Sequence, residues 1–389
     1  MIKLKLMVYL DYAAATPLSK STLKAMLTYF SDQFYNPSSL YLASAKLKVI
    51  KDDFKSRTAS ILGSKPTEII FTAGASEANN LAIRGLMDRF PEGNIITSAV
   101  EHKSVLEPAK LYNHKQLEVD IKGHIKLNTL EKLTDDNTVL ISVILANHEI
   151  GAVQSLAKIR AIIDKILESR KLSGNNLPLY LHSDASQAGN YLSLSVNRLG
   201  VDMMTVNGGK IYGPKQSGLL YLKTGIKLNP LILGGGQEGG MRAGTESLAN
   251  IAGFYTALSD AQAKRENQYK KAKKLSVKLI NLLKQDQRIK FNGDFKHRLP
   301  NNVNLTISGV DGERLVMELD NLGFMVATGS ACTASDDEPS YVLQSIGLSK
   351  DDAASSLRIT FGRDTRDTDI ESFANALLNL INNNQFIWN

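Results

Sequence analysis

Two neighbouring stretches, Pro178-LYLHSDASQAG and Val201-DMMTVNGGKIYGPK, decide the fold. Each begins as a short apolar run and then breaks into a polar, turn-forming loop. Runs of this kind, apolar on both faces and only a few residues long, read as strands buried on both sides of a sheet. Working outward, the same pattern recurs at Glu68-IIFT, Asn94-IITS, Thr138-VLISVIL and Gly218-LLYL. Between these runs lie segments of helical period, Ala75-SEANNLAIRGLMDRF and Leu156-AKIRAIIDKILESRK. Strands alternating with helices predict an α/β fold, with a mostly parallel central sheet covered by helices on both faces. After a helical stretch from Leu248 to Lys284, the segments Asn302-VNLTISGV, Leu315-VMELDNLGF and Ser356-LRITFG predict a smaller α+β domain. It is closed by the helix Asp369-IESFANALLNLI. The expected division is a large domain over 15–258 and a small one made of 1–14 and 259–389.

Composition narrows the class. The chain has 389 residues, 43% hydrophobic and 22% charged, which fits a folded protein of two or three domains and excludes disorder. No apolar run is long enough for a membrane helix. The opening MIKLKLMVYL is too short for a secretory core and runs straight into Asp11, so a soluble cytoplasmic protein is expected. A single cysteine excludes an internal disulfide or a Cys-rich metal site. The net charge of +7 is mild for this length. Its densest source, Lys264 to Lys284, places Lys270, Lys271, Lys273, Lys274 and Lys278 around leucines at helical spacing. That reads as the solvated face of an amphipathic helix; with no aromatic interleaved, direct nucleic-acid binding is not expected.

Open α/β sheets bind ligands just beyond the carboxyl ends of their strands. A ligand there would meet Ser76, His102, His148, Asp184, Gln187 and Lys210. Gly74-Ala75-Ser76 opens a helix and offers N–H groups, a hydroxyl and the positive end of the helix dipole, which suits a phosphate. Asp184 ends a buried strand, where a carboxylate needs a cation. Lys210 sits in a tight Gly-flanked turn, where a lysine can shed its proton and form a Schiff base. Phosphate cradle, buried Asp and reactive Lys together describe a site for pyridoxal 5'-phosphate (PLP), whose ring nitrogen needs an acidic partner.

The chain resembles the cysteine desulfurases, the NifS-like branch of the class V aminotransferase superfamily, which are fold-type I PLP enzymes. The resemblance runs in order through Tyr9-LDYAAATP, Phe71-TAGASEANNLAI, Glu101-HKSVLEP, Asn147-HEIGAVQ, His182-SDASQAG, Lys210-IYGPK, Gly234-GGQEGGMRAGTES, Gly329-SACTAS, Glu338-PSYVLQSIGL and Ser356-LRITFGR. It implies that Lys210 holds PLP, that Asp184 bonds the pyridine nitrogen, and that His102 stacks on the ring and takes part in acid/base steps. Ala75 and Ser76 then contact the phosphate, and Gln187 contacts the phenolic oxygen. Thr245 reaches the cofactor of a second subunit, which implies a homodimer. Arg358 grips the carboxylate of the substrate L-cysteine, and Cys332 is the nucleophile that takes the sulfur as a persulfide and passes it to an acceptor protein. The short tail Asn383-NQFIWN suggests an acceptor in tRNA thiolation or another carrier, with iron–sulfur cluster assembly as the alternative.

The chain departs from the family at three positions, Asn207, Gly209 and His148, all beside the expected cofactor. Where relatives read Ser-x-His-Lys, it reads Asn207-Gly208-Gly209-Lys210, and His148 stands where an Asn is usual. Losing a hydrogen bond to a charged phosphate costs roughly 1.5–3 kcal/mol, about tenfold to a hundredfold in affinity. The expectation is weaker or shifted PLP binding, partly offset by His148. The alternatives are another class V enzyme, such as a selenocysteine lyase or an aminotransferase, or a divergent paralogue that binds PLP poorly.

Overall fold

The computed structural model describes residues 7–329 and 339–383. Among these, the strands in chain order are β1 (Val8–Tyr9), β2 (Ile69–Thr72), β3 (Asn94–Ser98), β4 (Asn113–Leu117), β5 (Thr138–Ser142), β6 (Tyr180–Asp184), β7 (Met203–Asn207) and β8 (Gly218–Leu222). They continue as β9 (Ile289–Phe291), β10 (Asn302–Ile307), β11 (Phe324–Met325), β12 (Ala327–Thr328) and β13 (Ser356–Thr360).

Seven of them form the main sheet in the order β2-β8-β7-β6-β5-β3-β4. All pairings from β7 to β4 are parallel, and only β8 runs against its two neighbours. The expected mostly parallel sheet is therefore the observed one. Strands β3 and β5 are buried at every position, as a sheet with helices on both faces requires. One apolar core contains Ile141, Leu181, Met204 and Leu219, and another contains Ile95, Leu140, Met203 and Leu220, so alternate residues of each strand supply opposite faces.

A second, four-stranded sheet has the order β12-β13-β10-β9 and is antiparallel throughout. Its core gathers Leu305, Ile359 and Phe373, and it also takes Leu10 from the start of the chain. The helix Leu248–Leu283 is continuous, so the division expected at residue 258 falls within it. Its first half buries Phe254, Ala257 and Leu258 in the core of the main sheet, and its second half buries Leu275, Leu279 and Leu283 in the core of the smaller one. On its basic face, Lys274 and Lys278 meet Asp367, and Lys278 also meets Glu371, both on the helix Asp367–Asn382.

Gly218 shows how tightly the sheet holds the loop above it. A Cβ on Gly218 would lie 2.8 Å from the Val206 carbonyl oxygen and 2.9 Å from the Gly74 Cα, and Gly74 caps the helix Ala75–Met87. Gly218→Ala must therefore displace that cap, at a cost of about 1–3 kcal/mol. The expected outcome is a lower unfolding midpoint together with weaker retention of any phosphate-bearing cofactor; a parental midpoint in thermal unfolding would refute the reading.

Candidate active site

A cleft of about 280 Å³ opens at the carboxyl ends of the parallel strands. It is lined by Ala75, Ser76, His102, His148, Asp184, Gln187, Asn207, Lys210 and Arg358. The fold therefore brings together, in one cleft, side chains expected from loops far apart in sequence. Gly208 and Gly209 form the short turn that presents Lys210. Thr245 is not in the cleft: it is exposed and lines a separate cavity of about 260 Å³ with Thr72, Gln216 and Glu238. Cys332 lies outside the described residues.

Lys210 donates from Nζ to the carbonyl oxygens of Ala13 and Ala14, at 2.7 and 2.6 Å. Gln187 donates to the same Ala13 oxygen at 3.0 Å. Asp184 is 3% exposed at the end of β6. Its partners are neutral: the Asn79 amide donates to Oδ2 at 2.8 Å and the Ser186 N–H to Oδ1 at 2.8 Å. The cation expected for this carboxylate is therefore not among its hydrogen-bond partners, and Asp184 keeps accepting capacity towards the cleft.

Asn79 also donates to Ser104 Oγ at 2.9 Å, and that hydroxyl lies 2.8 Å from His102 Nδ1. The Ser104 N–H donates to the same Nδ1 at 3.1 Å. An Nδ1 that accepts leaves the proton of the neutral ring on Nε2. Burial pushes His102 below its ordinary pKa, and the positive charge of Lys210 adds to this, against the pull of Asp184. His148 is pushed well below, first by burial and then by His102, Arg358 and Lys210. The two rings meet edge to face at 5.2 Å, both neutral by this accounting.

Arg358 donates to Asp11 Oδ1 at 2.8 Å and to the His148 carbonyl oxygen at 3.3 Å, while its Nε has no partner among the described residues. Ser186 Oγ and His148 Nδ1 are likewise buried without partners, and all three residues line the cleft. The Gly74 cap has no side-chain hydrogen bond to the helix it starts. Unpaired polar atoms around one cavity, a helix N-terminus, a lysine amine and a buried carboxylate fit a polar aromatic phosphate such as PLP.

Two buried carboxyls that sequence reasoning passed over stand beside the cleft histidines in sequence. Glu149 accepts from Ser340 Oγ at 2.5 Å, and a Cβ on Gly329 would stand 2.9 Å from its Oε2. Gly329 and Ser340, which bracket the segment of Cys332, are thus both at this carboxyl, next to His148. Burial raises Glu149 to about 7, against the lowering effects of Ser340 and Arg358. Glu101 is fully buried and accepts at Oε1 from Ser98 Oγ at 2.5 Å and from the Ile144 N–H at 2.6 Å. The signal available for both was adjacency, since each is the sequence neighbour of a histidine in the cleft.

Residues 8–373 match the family described as Aminotransferase class-V, so the chain belongs to that family, whose class implies PLP as cofactor. Within it the chain belongs with the cysteine desulfurases. It is 36% identical over 382 residues to the cysteine desulfurase IscS of Dictyoglomus turgidum, covering 96% of this chain and 94% of the relative. It is 38% identical over 374 residues to a cysteine desulfurase of Homo sapiens, covering 93% of this chain and 79% of the relative. Among solved structures, a NifS-like protein superposes with a TM-score of 0.89 at 28% identity, covering 97% of this chain and 99% of that one. A NifS-like protein from Rickettsia africae gives 0.86 at 29% identity, covering 97% and 99%.

Burial raises Glu101 from an ordinary 4.5 to about 8, against the hydrogen bonds from Ser98 and Ile144 and with a smaller push from Asp184. The folded chain then keeps a proton that the unfolded chain loses above about 4.5. Between those values the folded state binds more protons, so this group's contribution to stability is full below 4.5 and is lost as pH rises towards 8. Glu101→Gln removes that slope. Urea unfolding across this pH range is expected to show the variant gaining on the parent as pH rises; parallel curves would exclude a raised pKa.

Proposed function

We propose that the chain removes sulfur from L-cysteine, releasing L-alanine and leaving a persulfide on Cys332, with PLP held in the cleft over β5–β7. The observation that carries this reading is the convergence of Lys210, Asp184, His102 and Arg358 on one cleft. When bound, PLP draws electrons from the substrate Cα and so loosens the C–S bond.

The chain's own residues supply the rest. Lys210 would hold the cofactor covalently and, once released, move the proton at Cα; its contacts with the Ala13 and Ala14 carbonyls fix where that amine stands. Asp184 keeps a proton on the ring nitrogen, and Asn79 and Ser186 hold the carboxylate in place. Ala75, Ser76 and the free helix start receive the phosphate. His102, with its ring proton on Nε2, would lie against the cofactor ring and serve as a proton donor or acceptor there. Arg358 binds the substrate carboxylate with the arm not engaged by Asp11. The Cys332 thiolate attacks the substrate sulfur, an S–S bond forms and the C–S bond breaks. The carbon takes up a proton and leaves as alanine.

The exposed Thr245 suits a role across a homodimer interface, reaching a second subunit's cofactor. The sulfur acceptor is a carrier protein in tRNA thiolation or iron–sulfur cluster assembly, and a cytoplasmic setting keeps the thiol reduced. Purified protein given PLP and L-cysteine should yield alanine and sulfide. Cys332→Ser should abolish sulfide release and leave the cofactor spectrum intact; undiminished release would favour a lyase that needs no thiol.

The weakened-cofactor reading draws on one observation. Asn207 Oδ1 accepts from the Gly209 N–H at 2.9 Å, which leaves only its Nδ2 to donate into the cleft, and Gly209 has no side chain to add a second donor. A Cβ on Gly209 would meet nothing closer than 3.4 Å, so the backbone there would tolerate the family's histidine. Gly209→His is expected to slow loss of the PLP absorbance band during dialysis, and His148→Ala to hasten it. Retention that neither change alters would dismiss the compensation by His148.

A further inference from the structure

A cavity of about 460 Å³ shares no lining residue with the cleft and is lined in part by Arg298, Lys158 and Lys296. Arg298 lies in its wall, only 4% exposed, with its guanidinium 5.5 Å from the centre of the Phe295 ring, and its Nε and Nη1 have no hydrogen-bond partner among the described residues. A buried guanidinium left unpaired is costly, and its flat fork matches an oxyanion. Lys158, Lys296, His124 and His297 share the lining, and no carboxylate does. The nearest acid, Asp294, is already engaged by His124 Nε2 at 2.9 Å and by the Lys296 N–H at 2.6 Å.

A second feature points the same way. Ser155, also in the lining, caps the helix Leu156–Leu172 without a side-chain hydrogen bond, so the positive end of a long helix dipole opens on the same space. The Arg298 backbone bridges to Ala152, a few residues before that helix, so Arg298 and the helix start belong to the same wall. Apart from Gln154, the rest of the wall is apolar, with Leu127, Val153, Leu192 and the Tyr269 ring. This lining would accept an organic body attached to the anion.

We propose that this cavity is a second ligand site that binds a small phosphomonoester with an apolar or aromatic body, the phosphate resting between Arg298, Lys158 and the start of the helix Leu156–Leu172. The phosphate gains charge-assisted bonds from a fork that is otherwise unpaired, and the ring or chain covers Leu127 and Tyr269. The site stands apart from the cleft, so it does not depend on the reading of the desulfurase reaction.

The test titrates PLP-loaded protein with phenyl phosphate and, separately, with inorganic phosphate. Binding is followed by calorimetry, and by NMR of the histidine ring nitrogens. Saturable binding is expected, tighter for phenyl phosphate, with the resonances of His124 and His297 shifting and the PLP absorbance unchanged. Arg298→Gln should weaken binding at least tenfold. Should that variant fold poorly, Lys158→Ala combined with His297→Ala alters only exposed side chains and should weaken binding several-fold. No saturable binding, binding that these variants leave unchanged, or a falling PLP band as the anion takes the cofactor's own place would each overturn the proposal.

Discussion

The burial of Asp184 is the constraint on which the site depends. A carboxylate at the end of an interior strand, 3% exposed, cannot stay charged there without partners. The Asn79 amide and the Ser186 N–H supply two, and the Asn79 amide also fixes Ser104 and through it the tautomer of His102. The helix Ala75–Met87, which brings Asn79, is the same helix whose first residues, Ala75 and Ser76, line the cleft. One helix thus reaches two sides of the cleft: Asp184 through the Asn79 amide, and the opposite wall through its own N-terminus.

The rest of the cleft repeats the theme of charge held by geometry. His102 and His148 are kept neutral by burial and by the nearby cations, while Glu149 is pushed towards neutrality beside them. The 3.6 Å approach of His148 Nε2 to Glu149 Oε1 is then a contact between two groups that burial disfavours as ions, rather than a salt bridge.

Much of this was legible in the sequence. The apolar runs ending in Asp184 and Asn207 announced β6 and β7, since interior strands of a parallel sheet must be apolar on both faces. Strand β4, Asn113-HKQL, was not announced: as an edge strand it is largely polar and carries no such run. The reversal of β8 was also hidden, because direction is set by pairing partners and not by composition. For the site, residues that meet a ligand from loop ends could be named from their position after strands. Asn79 and Ser104 could not, because they act through other side chains, and such chains of contact exist only once the helices are packed.

The smaller sheet region has a feature with a consequence for synthesis. Strand β1, Val8–Tyr9, pairs in parallel with β11, Phe324–Met325, and Leu10 enters the core beneath. The first strand to leave the ribosome therefore waits for a partner more than three hundred residues downstream. At about 5–20 residues per second, that wait is roughly 15 to 60 s, during which the main sheet can form but the smaller core cannot close. A nascent chain must keep the residues around Leu10 from binding elsewhere for that time, so a holding chaperone, or an early compact arrangement of the first helices, has its strongest claim there.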